Sequence, residues 1–252
     1  MGTYIVMKYG LEGEYMNTSP RITLLAIALY FIVSIALFNI FQMLSIEPVT
    51  FFDFILILFF SLLIGSLYFY WKYIFIAVMM SREKVSSFVD LVSLFILKAS
   101  ELFIIFMVFL VVEFLLLIII LIYIVSFKLF QLLYAIAWFV FILSIILEYI
   151  VAPYIILSNV YPRFLHRHGL KGVLILFTIP WFILNFIIGT LANLPFYMIR
   201  DKLVIYPYFY NWSDEVAKMI AEISTTIPIP PFGDLIATVA IAFYSRVAID
   251  TF

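Results

Sequence analysis

A few polar side chains fall within or at the ends of long apolar stretches, and whatever chemistry the chain performs must start from them. They are Glu113, Glu148, Asp234, Arg246 and Asn185. An ionisable group surrounded by hydrocarbon is expensive unless it is paired or neutral, so such a residue is first of all a functional-site hypothesis. Glu113 has apolar neighbours for several turns on either side. One reading makes it a proton or cation relay. The simpler one makes it a protonated acid hydrogen-bonded to a neighbouring helix, through Asn39 or Asn185.

Glu148 stands five residues before Pro153. Proline lacks the N–H that would close the preceding helical turn, so this helix is expected to kink there. A kinked helix with a carboxylate can line a gate, but a structural ion pair is the preferred expectation, with Arg246 as its partner by depth. Asp234 follows the run Ile227-Pro228-Ile229-Pro230-Pro231. The simpler expectation is a helix cap at the outer surface. If the proline run dips into the bilayer, Asp234 would instead line a polar vestibule, because irregular backbone at depth survives only beside protein or water.

Other chemistries lack their residues. There is no cysteine, which excludes disulfides, thiolate metal sites and cysteine nucleophiles. The two histidines form His166-Arg167-His168 in a basic stretch where neighbouring positive charge opposes a metal ion. Neither a phosphate-binding G-x-x-x-x-G-K-[ST], nor H-E-x-x-H, nor G-x-S-x-G occurs. The expectation is a non-enzymatic protein with no cofactor and no metal.

The elements that must position these side chains are membrane-spanning helices. Hydrophobic residues make up 67% of the chain and charged ones only 12%, with a mean hydropathy of +1.24. Soluble domains carry roughly 45–50% apolar and about 25% charged residues, so an all-α, polytopic bundle is the reading. A span needs about 20 apolar residues. Six segments qualify, at 22–46, 54–80, 99–127, 129–157, 173–199 and 233–250, and together they form a single integral membrane domain over residues 1–252. The last is short for a full crossing. Tyr68, Tyr70, Trp71, Lys72 and Tyr73 read as aromatic and basic anchors at a membrane interface.

Two amphipathic surface helices are expected between the spans. In the first, within 81–98, Val85, Phe88, Val89 and Val92 recur at helical spacing. In the second, Val216, Met219, Ile220 and Ile223 do the same after an aromatic loop holding Tyr206, Tyr208, Phe209, Tyr210 and Trp212. Residues 158–172, with Arg163, Arg167 and Lys171, read as a basic loop facing anionic lipid headgroups. Ten Lys and Arg fall on the side of the termini and four on the other, which puts both termini in the cytoplasm.

The stretch Glu148-Tyr149-Ile150-Val151-Ala152-Pro153, a span ending in Asn193-Leu194-Pro195, and Pro230-Pro231 followed by Ala242-Phe243-Tyr244-Ser245 together resemble a group of polytopic archaeal families. These are related to the membrane domain of glycerophosphodiester phosphodiesterases. The resemblance implies a six-helix fold; the soluble phosphodiesterase domain is missing, so no catalytic residue carries over. A looser likeness, in size, span number and lack of cysteine, is to the polytopic channel of the crenarchaeal DNA-import system.

Function is expected in one of two forms. The first is a subunit, pore or scaffold of a membrane complex, such as a translocation or DNA-import channel. Its partners would be lipid and other membrane subunits or further copies of itself, with nucleic acid only indirect. The second is a stand-alone carrier or channel for a small solute or ion, using the intramembrane carboxylates.

Overall fold

The computed structural model describes residues 20–43, 51–81, 83, 85–125, 139, 142–192 and 232–251, and they form seven helices. These are α1 (Pro20–Met43), α2 (Phe51–Met80), α3 (Phe88–Glu101), α4 (Phe103–Val125), α5 (Ile142–Val160), α6 (Pro162–Ala192) and α7 (Phe232–Thr251). Five of them are long and apolar enough to cross a membrane, or six if α3 and the start of α4 count as one broken span. The chain is thus an all-α, multi-pass helical bundle. The second amphipathic stretch and the aromatic loop before it lie outside the described residues.

The second half of α2 is the axis of the bundle. From Tyr73 to Ser81 every side chain is buried, on all sides of the helix. A helix buried all round must be covered all round, and α1, α3, α4, α5 and α7 all pack against α2. Aromatic pairs fix these contacts. Tyr30 of α1 stacks on Phe75 with ring centres 4.3 Å apart. Phe109 of α4 stacks on Phe69 at 5.5 Å, and Phe95 of α3 on Trp71 at 5.0 Å. The outward faces carry Leu24, Ile32, Ile96 and Phe186, each at least 65% exposed, as lipid-facing surfaces do.

Helix α3 starts where Ser87 caps the backbone N–H of Asp90 and the Asp90 carboxylate returns the bond to Ser87, a reciprocal capping box. Its buried stripe is Leu91, Leu94, Phe95 and Lys98, whereas Phe88 and Val89 point outward. The amphipathic period was therefore real but belongs to a different face, because helix starts only at Phe88. Helix α3 also runs past Lys98 to Glu101, and the break with α4 falls at Leu102 with a 52° bend.

The expected basic loop at 158–172 is corrected. Pro162 occupies the first turn of a helix that carries the basic residues, since its fixed φ and missing N–H suit that position. The helix is broken at Gly169, whose φ of +58° favours glycine. Polar residues on the open face of a short helix look like a loop in composition.

Helices α5 and α6 each contain a wider, π-type turn, at Leu147–Val151 and Leu174–Thr178. The N–H of Ala152 bonds to the Leu147 carbonyl and that of Ile179 to Leu174, five residues back instead of four. A proline stands two residues after each turn, Pro153 and Pro180. The freed carbonyls find hydroxyl partners on other helices. Tyr73 donates to the Glu148 carbonyl, Thr178 to that of Tyr149, and Tyr244 to that of Leu176. Such re-satisfaction is what lets a span tolerate an interruption in lipid.

Candidate functional site, a buried lysine between two carboxylates

The broken turn of α5 directs Glu148 toward α2, and the first turn of α7 supplies Asp234. Both meet Lys72. Its ammonium lies 3.0 Å from Glu148 Oε1 and 2.8 Å from Asp234 Oδ1. The lysine side chain is only 3% exposed, the glutamate 19% and the aspartate 28%. Tyr68, one turn before Lys72, donates to Asp234 Oδ2 at 2.7 Å. Asn185 of α6 donates to the Tyr149 hydroxyl, next in the chain to Glu148. Residues from α2, α5 and α7 thus converge on one polar centre, and α6 is tied to the neighbouring Tyr149.

Three expectations change here. Lys72 is not an interface anchor but the centre of this cluster. A signal for this was present: eight apolar or aromatic residues, from Tyr73 to Met80, follow it before the helix ends. An interface lysine would not be followed by two further turns of apolar helix. Glu148 pairs with Lys72 and not with Arg246, which lies twelve residues after Asp234 and so about 18 Å further along α7. Asp234 stands in the first turn of α7, the place expected for a cap, but its carboxylate is held by Lys72, whose neighbour Trp71 reaches the Tyr30 carbonyl near the middle of α1. Helix α7 therefore begins inside the bundle, with the positive end of its dipole beside the carboxylates.

Glu113 lies on α4, and its side chain is outside the described residues. Asn185 bonds Tyr149, and Asn39 is exposed on α1. His168 lies against Phe164, with ring centres 4.8 Å apart and the planes tilted by 36°. Among the described residues no group of three or more His, Asp and Glu side chains is placed to hold a metal ion.

The charge balance defines what the centre can do. With all three groups ionised, one positive charge faces two negative ones, leaving an excess of one negative charge inside an apolar bundle. A charge buried without compensation is strongly unfavourable, and the fully buried lysine is held here by two partly buried carboxylates. No family model, curated protein or solved structure matches the chain. The fold and the site together define the class: a multi-pass helical membrane protein with a lysine–dicarboxylate centre at the start of a helix that begins within the bundle.

Proposed function

We propose that the protein is a cation-coupled membrane carrier in which Lys72, Glu148 and Asp234 form the site that takes up and releases one positive charge per cycle. The observation that carries this reading is the second carboxylate. A structural ion pair needs one partner for Lys72, and here two lie within 3.0 Å. Loss or gain of a proton or monovalent cation would shift the lysine between its two partners, which sit on different helices. The matching interruptions of α5 and α6 support the same reading, since coupling-ion sites of carriers are commonly built from discontinuous helices and π-turns cluster at functional positions. By the Lys and Arg count the carrier would sit with both termini in the cytoplasm.

The test uses purified protein in liposomes that enclose a pH-sensitive dye. An imposed sodium or potassium gradient is expected to drive dye-reported proton flux above that of empty liposomes. Glu148→Gln and Asp234→Asn, checked for monodispersity, are expected to abolish it. Flux equal to empty liposomes under both gradients overturns the reading. The other reading, a subunit of a membrane complex, rests on sequence features alone. A stoichiometric partner in a tagged pull-down from native membranes would favour it.

A further inference from the structure

The corner between α5 and α6 carries the densest positive charge in the chain. Arg163, His166, Arg167, His168 and Lys171 follow closely on one another, and no Asp or Glu occurs anywhere from Tyr149 to Arg200. Arg163, Arg167 and Lys171 are exposed, and among the described residues no carboxylate pairs with any of them. The fold presents these cations outward. The break at Gly169 lets the start of α6 fold against the span that follows. Phe164 and Phe177 would stand about 20 Å apart along a straight helix. Their rings instead meet edge-on, with centres 5.4 Å apart. Phe164, only 2% exposed, is thus the inner side of the short segment. Arg163, His166 and Arg167 are left on its open side, and Lys171 follows just past the break.

Depth places this corner at the membrane surface. Trp71, next to Lys72, bonds to Tyr30 near the middle of α1, so the contact between Lys72 and Glu148 lies near mid-membrane. From Glu148, α5 runs on to Val160, about 18 Å by helical rise. Half of the hydrocarbon core is about 15 Å. The corner therefore stands in the headgroup layer. The span that continues from it exposes Ile175, Ile179 and Phe186, each by more than half. Cations without carboxylate partners, above an exposed apolar helix, match a molecule with an anionic head and hydrocarbon tails. Guanidinium groups bind phosphate oxygens bidentately, and basic residues at a membrane surface attract anionic lipid.

We propose that the α5–α6 corner binds the headgroup phosphate of an anionic phospholipid through Arg163, Arg167 and Lys171, with the acyl chains against Ile175 and Ile179. A zwitterionic lipid brings its own cation to the phosphate and binds the same corner more weakly. The inference stands apart from the carrier reading. Both helices that meet here contain a π-turn, so the lipid fixes where the two interrupted spans leave the hydrocarbon.

The test is native mass spectrometry of the full chain, titrated in detergent with phosphatidylglycerol, phosphatidylcholine or inorganic phosphate. About one phosphatidylglycerol per chain is expected, held roughly tenfold more tightly than phosphatidylcholine, with no retained phosphate. Arg163→Gln, Arg167→Gln and Lys171→Gln should each weaken phosphatidylglycerol binding about fivefold, and the three together should erase the preference. Arg163→Lys with Arg167→Lys keeps the charge and should keep most of the preference. Arg21→Gln, which removes an exposed cation at the start of α1, should leave it unchanged. Equal retention of both lipids by the wild-type chain overturns the proposal. So does a preference that survives the triple variant, one lost equally in Arg21→Gln, or inorganic phosphate bound as tightly as phosphatidylglycerol.

Discussion

The Tyr73 hydroxyl donates to the main-chain oxygen of Glu148 at 3.2 Å, while the residue before it, Lys72, binds the Glu148 carboxylate at 3.0 Å. Two consecutive residues of α2 thus hold the side chain and the backbone of one residue of α5. The backbone bond exists only because the π-turn sends the Ala152 N–H to Leu147 and leaves the Glu148 carbonyl open. Position and charge of the acid are set from the same place.

Removing the lysine should be far worse than removing either acid. Lys72→Met leaves two carboxylates facing each other in a buried site, with a loss of about 3–5 kcal/mol. Glu148→Gln or Asp234→Asn leaves one neutral pair and a smaller loss. Thermal unfolding in detergent, followed by fluorescence, should rank Lys72→Met well below both.

The hydroxyl partners of the interrupted helices should matter for stability. Thr178→Val strips the donor from the Tyr149 carbonyl, and Tyr244→Phe strips the one from Leu176. Each should cost about 1–3 kcal/mol, the penalty of a buried acceptor left unpaired. Pro153→Ala, which restores an N–H at the right distance, should rescue much of the Thr178→Val loss in the double variant.

Gly172 is a packing position. A methyl group there would meet His168 Cβ at 2.4 Å. Gly172→Ala should destabilise the Pro162–Val173 segment by about 1–3 kcal/mol through overpacking. At Gly169 a side chain has open space, but φ of 58° with ψ of −160° is a conformation that glycine alone adopts readily, so Gly169→Ala should cost about 1–3 kcal/mol. Limited proteolysis around residue 169 reports both.

The start of α3 should loosen in acid. Hydrogen bonds from the hydroxyls and backbone N–H groups of Ser86 and Ser87 hold the Asp90 carboxyl below its ordinary range. A depressed value in the folded state means the contribution is complete above the unfolded value near 4 and disappears as pH falls through the folded one. Amide exchange in the first turn of α3 should therefore speed up below about pH 4 relative to the α2 core, and Asp90→Asn should remove that difference.

The spans were legible because their signal is long and one-sided. The expected segment 54–80 became Phe51–Met80, and 233–250 became Phe232–Thr251. The centre was not, because pairing across 76 and 162 residues leaves no local trace. Lys72 among tyrosines and tryptophan imitates an interface belt, and only the apolar turns after it tell against that. The kink near Pro153 was legible from the proline, but its form was not. A π-turn needs one surplus residue, and which carbonyls then go looking for donors depends on helices elsewhere in the chain.

The distance in sequence between Lys72 and its partners sets a schedule for biosynthesis. The chain is made from its N-terminus, so α2 leaves the ribosome 76 residues ahead of Glu148 and 162 ahead of Asp234. At about 5–20 residues per second that separation amounts to roughly ten to thirty seconds for the aspartate. A central lysine opposes insertion by about 2.5–3.5 kcal/mol, and the apolar residues of the same helix must outweigh it unaided. The nascent α2 therefore reaches the bilayer ahead of both carboxylates, and the second of them, on α7, follows Lys72 by 162 residues.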